Sequence, residues 1–271
     1  MSTAATFLRW VGTLTLSFFI IFIVLPLLVI FTLSLFAGVM TPGVDKLANK
    51  QVAVIELEGM ILDNKELLEQ LYKQANDPNI HGIVLRINSP GGAIGPAQEI
   101  YAAVKKIKEK KPVIASMGGI AASGALYAAL SATKIFCQPG TLTGSIGVIM
   151  QMPNVRKMTD FVGFEMTTIK SGALKDAGNL FREMTEGEKN YLQETVDTAF
   201  EQFLSAVVEG RKLDPELIRP FSDGRIILGS QAVKLGLVDD YGDLDTAARA
   251  VFEELKQPLT NEESPNLVYP M

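Results

Sequence analysis

The stretch IHGIVLRINSPGG, residues 80–92, is a run of β-branched and apolar residues that ends in Pro-Gly-Gly. Such a run predicts a buried strand over residues 80–87 and a tight turn over residues 88–92. The following segment, residues 97–110, places apolar side chains at helical spacing, with lysines on the opposite face, and ends before Pro112. A strand, a glycine turn and an amphipathic helix form one βα unit.

The same pattern recurs on both sides of this unit. Further strands are predicted over residues 51–57, 112–116, 134–137, 145–150 and 164–169, and further helices over 64–74, 123–131, 154–161, 185–209, 229–235 and 243–255. Strands that alternate with helices predict parallel strands joined by crossover helices, which is an α/β architecture. A chain of 271 residues has room for one sizeable domain of this kind and a shorter appendage.

The N-terminal region has a different composition. Residues 10–44 contain no charged residue, and residues 14–40 exceed the ~20 apolar residues that cross a hydrocarbon core. The sequence therefore predicts an uncleaved N-terminal transmembrane helix within residues 1–40, which anchors the chain to membrane lipid, and a linker over residues 41–50. The folded domain is expected over residues 51–256. A mobile tail is expected over residues 257–271, which contain Pro258 and Pro265 and show no periodic pattern.

The charge balance and the single cysteine exclude several classes of protein. The net charge is −5, from 25 basic and 30 acidic residues, with no basic block that could neutralise a phosphate backbone, so we expect no nucleic-acid partner. Cys137 alone cannot form an intrachain disulfide or a cysteine-rich zinc site. Neither nucleotide-binding glycine fingerprint is present. No metal and no cofactor is predicted.

Glycines are concentrated in three segments that follow predicted strands, Ser89–Gly92, Met117–Gly124 and Thr143–Gly147. Active sites of parallel α/β sheets lie at these strand ends, and glycine N–H groups there suit a developing oxyanion. Ser123, followed by Gly124 at the start of a predicted helix, is a candidate nucleophile. On local grounds alone, an ordinary helix N-cap is the commoner role for such a serine.

The general base is indicated by elimination. The only histidine, His81, starts its predicted strand, at the end opposite the glycine turns, so a surface role is expected for it. A serine hydrolase with this sequence would need a lysine or a carboxylate. Lys175, in KSGALKD (residues 170–176), follows the predicted strand over 164–169 and is a candidate, and a solvated loop lysine is the alternative.

Five ordered motifs between residues 52 and 252 resemble those of the signal peptide peptidase A family, whose members are Ser-Lys peptidases. The matching segments are GIVLRINSPGG (82–92), AASGALY (121–127), TGSIGV (143–148), KSGALKD (170–176), and DGRIILG (223–229) with AVKLGLVD (232–239). The resemblance implies a Clp protease/crotonase-like fold of stacked βα units, with residues 51–256 as the peptidase domain. In one departure, Ala125-Leu126-Tyr127 replaces the usual Gly-Tyr-Tyr or Gly-Tyr-Trp.

The same resemblance implies roles for individual residues. Ser123 corresponds to the nucleophile, Lys175 to the lysine base, and Ser145 to a serine that hydrogen-bonds the lysine. An oxyanion hole is implied from the backbone N–H groups of Gly124 and of Gly91 or Gly92.

The implied function is a membrane-anchored serine endopeptidase that degrades remnant signal peptides, with the N-terminus in the cytoplasm and the catalytic domain outside it. The resemblance further implies a dome-shaped homo-oligomer, in which some members complete the site across subunits. Three alternatives stay open: a crotonase-like acyl-CoA enzyme, a catalytically silent membrane scaffold, and a peptidase that cuts a specific membrane protein, such as a stomatin-like one.

Overall fold

The computed structural model describes residues 10, 12–14, 18–39 and 50–270. These residues fall into two compact units, divided between Lys50 and Gln51. In the first unit a π-helical turn, Ile20–Val24, continues into helix α1, Leu25–Val39. No helix in the described residues is long and apolar enough to span a bilayer. The remainder of the predicted anchor and almost all of the predicted linker lie outside the described residues.

The second unit is the α/β domain. Its strands are β1 Gln51–Ile61, β2 Ile80–Gly92, β3 Val113–Ala121, β4 Lys134–Cys137, β5 Leu142–Gly144, β6 Ile226–Leu228, β7 Asp240–Tyr241 and β8 Asn266–Val268. Its helices are α2 Lys65–Asn76, α3 Ile94–Ile107, α4 Gly124–Ala129, α5 Arg156–Val162, α6 Glu186–Arg211, α7 Pro215–Ile218, α8 Gly229–Lys234 and α9 Leu244–Glu254, with a 3₁₀ turn at Arg219–Phe221.

The strands form a mixed sheet in the order β6-β5-β3-β2-β1-β8, with β4 beside β3 and β7 beside β4. Every pair is parallel except β5 with β6. Parallel neighbours require crossover connections, which α2 and α3 supply between the first three strands. The predicted α/β class is confirmed.

The core lies on both faces of this sheet, because successive side chains of a buried strand point to opposite sides. Ile55, Leu85 and Ala115 face a cluster that includes residues of α2, α3, α4 and α6. Val84 and Ile114 face a second cluster, built around α9. Burial on both faces explains why these strands read as continuous apolar runs.

Strands β1 and β2 run several residues further than predicted. Gly91 pairs with Met60 and Gly92 with Ile61, after a register irregularity between Glu58 and Met60. The Pro-Gly-Gly segment therefore forms the end of a paired strand and not a free turn. Across the next pair, Ser89 lies opposite Ala121, two residues before Ser123.

Two predicted strands and the predicted tail differ from the structure. Residues 145–150 and 164–169 form no strand, and the short strand β5 precedes the first of them. Alternating apolar residues form a strand only where a neighbouring strand pairs with them. The C-terminal segment predicted to be mobile contains β8, which pairs with Gln51–Ala53 of β1, because the prolines at 258 and 265 lie outside the paired residues.

Candidate active site

Ser123 immediately precedes α4 and has a backbone conformation that few side chains adopt, with φ 54° and ψ −125°. Its side chain makes no helix-capping hydrogen bond, so the N-cap interpretation of this serine is not supported. Backbone strain of this kind costs about 1–3 kcal/mol and persists only where the surrounding structure imposes it. The side chain of Ser123 is half-buried.

Glycines form the wall next to this serine. Gly91 has φ +96°, and a Cβ placed on it would lie 2.7 Å from the Gly124 nitrogen and 2.9 Å from the Ser123 Cβ. A Cβ on Gly124 would lie 3.3 Å from the Gly92 nitrogen. Gly124 begins α4, and the first N–H groups of a helix have no carbonyl partner within it. The backbone N–H of Gly91 donates to the Ser89 Oγ at 3.1 Å, which leaves Gly92 and Gly124 as the better donors to a ligand.

Ser145 directly follows Gly144, whose carbonyl accepts the Ser123 N–H. It too has a positive φ, 50°, and its N–H donates to the Arg225 carbonyl at 2.7 Å. Together with Lys212 and Lys256, the two serines are the non-glycine residues with positive φ among those described. Both serines line one cleft of about 690 Å³.

This cleft is mostly apolar, with a few polar groups. Helix α6 forms one wall, and the other wall comes from the loops after β2, β3 and β5. Its lining includes Gly92, Ile94, Ser123, Gly124, Tyr127, Ser145, Val148, Ile149, Val196, Asp197, Phe200, Phe203 and Asp223. A concave apolar site with a few convergent polar groups is the usual form of a binding site.

Lys175 does not line this cleft. It is exposed, in a turn where its N–H donates to the Gly172 carbonyl at 3.2 Å. Within the described part of the chain, no acid or acceptor binds its ammonium group. One copy of the chain therefore brings together Ser123, Ser145, Gly92 and Gly124, but not the predicted base.

The segment that carries Lys175 is nonetheless fixed by ion pairs. Arg182 donates from Nε to Asp176 at 3.1 Å and from Nη1 to Glu188 at 2.8 Å. Glu188 is only 3% exposed and completes a capping box with Thr185 at the start of α6. The Arg182 guanidinium, and then the Lys170 ammonium, hold the pKa of the Asp176 carboxyl well below its usual range.

Lys170 and His81 are also unsuited to act as the base. The ammonium of Lys170 is bound to Asp176 and to the Ala173 carbonyl. His81 lies eight residues before Ser89 on the same strand, which corresponds to roughly 26 Å. Its predicted surface role is wrong in part, since it packs against the Phe252 ring and its Nδ1 is buried without a partner in the described structure.

Sequence reasoning did not identify several supporting residues. Buried Ser89 accepts the Ala122 N–H through its carbonyl, and Thr143 Oγ1 donates to the Ala121 carbonyl at 2.7 Å, so both hold the Ser123 segment. Both lie in glycine-rich segments in which only the glycines and the two serines Ser123 and Ser145 were assigned a role. The cleft wall on α6 carries no motif and could not be found this way. Among the described residues, no cluster of side chains suits a metal ion.

The fold and the family comparisons define the class of the protein: it is a serine peptidase with a Clp protease-like domain, and the Clp protease family model matches residues 45–143. The model of peptidase family S49 matches residues 105–257. The chain belongs to peptidase family S49. This membership decides between the peptidase and the acyl-CoA interpretations.

Relatives with similar sequences are named as proteases. The chain is 40% identical over 200 residues to "Putative protease slr0021" of Synechocystis sp., which covers 73% of this chain and 72% of that protein. It is 35% identical over 223 residues to "Putative signal peptide peptidase SppA" of Enterococcus faecium, with 77% and 65% covered. For "Protease 4" of Salmonella typhi the identity is 32% over 218 residues, with 76% and 35% covered. The chain thus spans less than two thirds of the last two.

Proposed function

We propose that this protein is a membrane-anchored endopeptidase that uses Ser123 as nucleophile and Lys175 as general base, and that it degrades apolar peptides such as released signal peptides. The observation that carries the proposal is the strained, uncapped Ser123 in an apolar cleft beside Gly92 and Gly124. The anchor lies within residues 1–40, as the absence of charged residues from 10 to 44 indicates. The name of the Enterococcus relative supports the substrate class.

In this mechanism neutral Lys175 takes the proton from the Ser123 hydroxyl, and the Oγ attacks the scissile carbonyl carbon. The N–H groups of Gly92 and Gly124 stabilise the tetrahedral oxyanion. As the C–N bond breaks, Lys175 returns its proton to the leaving amine. Water then attacks the acyl-enzyme, again with Lys175 as the base, and releases Ser123. Ser145 orients the lysine by accepting one of its N–H groups.

The lysine reaches the cleft from a second copy of the chain. A lysine base needs desolvation, and exposed Lys175 lacks it within one chain. The segment before it also exposes apolar side chains that a partner would cover: Ile149 is 81% exposed, Phe161 89% and Ile169 97%. Exposed apolar surface of this kind is typical of a protein interface. The peptidase is therefore a homo-oligomer. The resemblance of its sequence motifs supports a catalytic domain on the extracytoplasmic side.

The experiment that tests this proposal is subunit complementation. Ser123→Ala and Lys175→Ala are each expected to abolish cleavage of an apolar fluorogenic peptide. Co-expressed full-length chains of the two variants should recover activity, to about a quarter of wild type for random assembly in a closed ring. Each recovered site would combine Ser123 of one copy with Lys175 of another.

The matched control is co-expression of Ser123→Ala with the double variant Ser123→Ala/Lys175→Ala, which offers no intact serine and should stay inactive. Lys157→Ala, an exposed lysine on α5, should retain full activity. Normal turnover in Lys175→Ala would disprove the lysine base. Absence of recovery from two folded, co-assembled variants would disprove the contribution in trans.

A further inference from the structure

The cleft at Ser123 adjoins a second groove, of about 710 Å³, between α3 and α6. Tyr127 and Asp197 line both cavities. On α6 the residues that face the cleft include Val196 and Phe200, and those that face the groove include Glu201 and Ser205. They form two adjacent stripes of one helix, and Asp197 lies on the boundary between them.

The two cavities differ in polarity. The cleft is lined by aliphatic and aromatic side chains together with Asp197 and Asp223. The groove adds Glu201 and Glu209 to the shared Asp197, along with two glutamines. Among the residues that line either cavity, every charged one is a carboxylate. A peptide that extends from the cleft into the groove therefore passes from apolar to acidic surroundings.

Three of these four carboxylates are neutralised by a cation of the same chain. Glu209 pairs with Lys105, Glu201 with Arg219, and Asp223 with Arg225. Asp197 accepts an amide N–H from Gln193 at 2.7 Å, and no lysine or arginine of the described residues lies within ion-pair distance of it. Of the four carboxylates that line the two cavities, Asp197 alone has no cation of the described residues paired with it, so it can pair with a cation of the ligand.

We infer that Asp197 forms a subsite that binds a lysine or arginine side chain of the substrate while its neighbouring apolar residues occupy the cleft at Ser123. The inference rests on the proposed peptidase function and specifies its substrate class: apolar peptides with a nearby basic residue. Lining residues of α6 run from Gln193 to Glu209, roughly 24 Å of helix. An extended chain of about seven residues spans that length.

The test uses quenched fluorescent peptides of about eight residues, apolar except for one lysine moved through each position, compared with norleucine at the same position. For one or two adjacent positions of the lysine, the wild-type full-length enzyme should cleave the lysine peptide with about fivefold higher kcat/KM than the norleucine peptide. A partly exposed ion pair provides a ratio of this size. The ratio should approach one in about 1 M NaCl, where the Debye length is short. Asp197→Asn should bring the ratio of kcat/KM for the lysine peptide to that for the norleucine peptide close to one, whatever its effect on either value alone.

Glu194→Gln is the matched control, since Glu194 lies on the same helix and lines neither cavity; it should keep the preference. Any one of three results would overturn the subsite. The wild-type scan could show no lysine preference, or the preference could persist in 1 M salt, or it could persist in Asp197→Asn. If Asp197→Asn does not fold, the wild-type scan and its salt dependence still decide.

Failure of the proposed function gives a different result, because then no peptide in the scan is cleaved. The subsite is in that case tested by fluorescence anisotropy with full-length Ser123→Ala and the uncleaved peptides. Equal affinity for the lysine and norleucine peptides would overturn the inference, and about fivefold tighter binding of the lysine peptide would support it.

Discussion

The backbone N–H of Ser123 donates to the carbonyl oxygen of Gly144 at 2.9 Å. This hydrogen bond ties the start of α4 to the end of β5. Because Ser145 directly follows Gly144, the same bond holds Ser145 near Ser123. Ser145 is fixed in turn by the Arg225 carbonyl. The two strained serines thus belong to one hydrogen-bonded unit, which explains how their backbone conformations are maintained.

Ser123 is expected to react with a fluorophosphonate probe, because an uncapped hydroxyl beside free helix N–H groups is a nucleophile with an oxyanion site. Ser123→Ala should remove labelling and lower kcat by about 10³-fold or more, with an unchanged circular dichroism spectrum. Ser230→Ala, on α8, is the control and should label like wild type. Labelling that persists in Ser123→Ala would place the nucleophile elsewhere.

Gly91→Ala should destabilise the domain and inactivate it. Alanine at φ +96° is strained, by about 1–3 kcal/mol, and its Cβ would meet the Ala122 carbonyl oxygen at 2.7 Å. Urea unfolding measures the loss of stability. Gly95→Ala, in the first turn of α3 with nothing within 4 Å of its Cβ, should instead be neutral or stabilising by up to ~1 kcal/mol. Equal losses in both variants would contradict the steric explanation.

Much of the fold follows from the sequence because the central strands are apolar and the helices between them are amphipathic. The predicted start of the helix at residue 185 is confirmed to within one residue, since the capping box of Thr185 and Glu188 depends only on two residues three apart. The prediction of a strand over residues 164–169 is wrong, because strand formation depends on a partner that sequence alone does not provide. Strand β8 was not predicted, because its three residues have no marked pattern and form a strand only by pairing with the edge of β1.

At the candidate site, the sequence predicts the position of backbone N–H groups better than the position of side chains from distant segments. Glycines at strand ends predict where N–H groups converge, and Gly92 and Gly124 do lie together. The placement of Lys175 could not be predicted, because burial of a loop lysine depends on what covers the loop. The part of α6 that lines the cleft could not be predicted either, since its sequence has the pattern of any amphipathic helix.

The ion pairs of Arg182 should make the segment that carries Lys175 sensitive to acid. Hydrogen bonds from Arg182, and then from the Thr185 N–H, lower the pKa of Glu188 from 4.5 to about 2. A depressed pKa stabilises the folded state above the unfolded value, so this contribution is lost as pH falls from about 4.5 towards 2. Hydrogen exchange of residues 170–190 as a function of pH should show opening in that window.

Arg182→Gln should open the same segment already at neutral pH, because it leaves the nearly buried Glu188 carboxylate without its cation. The loss of protection and of peptidase activity should both exceed those in Arg219→Gln, which breaks an exposed pair of a kind worth about 0–1 kcal/mol. An Arg182→Gln variant with wild-type protection over residues 170–190 would show that the pairs do not order this segment.

The exposed apolar side chains before Lys175 should control both assembly and activity. In the double variant Phe161→Ser/Ile169→Ser, two side chains that are 89% and 97% exposed in one chain become polar. If they pack in a subunit interface, removing them costs hydrophobic burial of about 1.5–3 kcal/mol per side chain. Sedimentation velocity of the full chain in mild detergent should then show smaller particles, and activity should fall in parallel because Lys175 no longer reaches its partner's cleft. Leu62→Ser, at a site 72% exposed and outside this segment, should change neither quantity. An unchanged particle size in the double variant would mean that these side chains do not form the subunit interface.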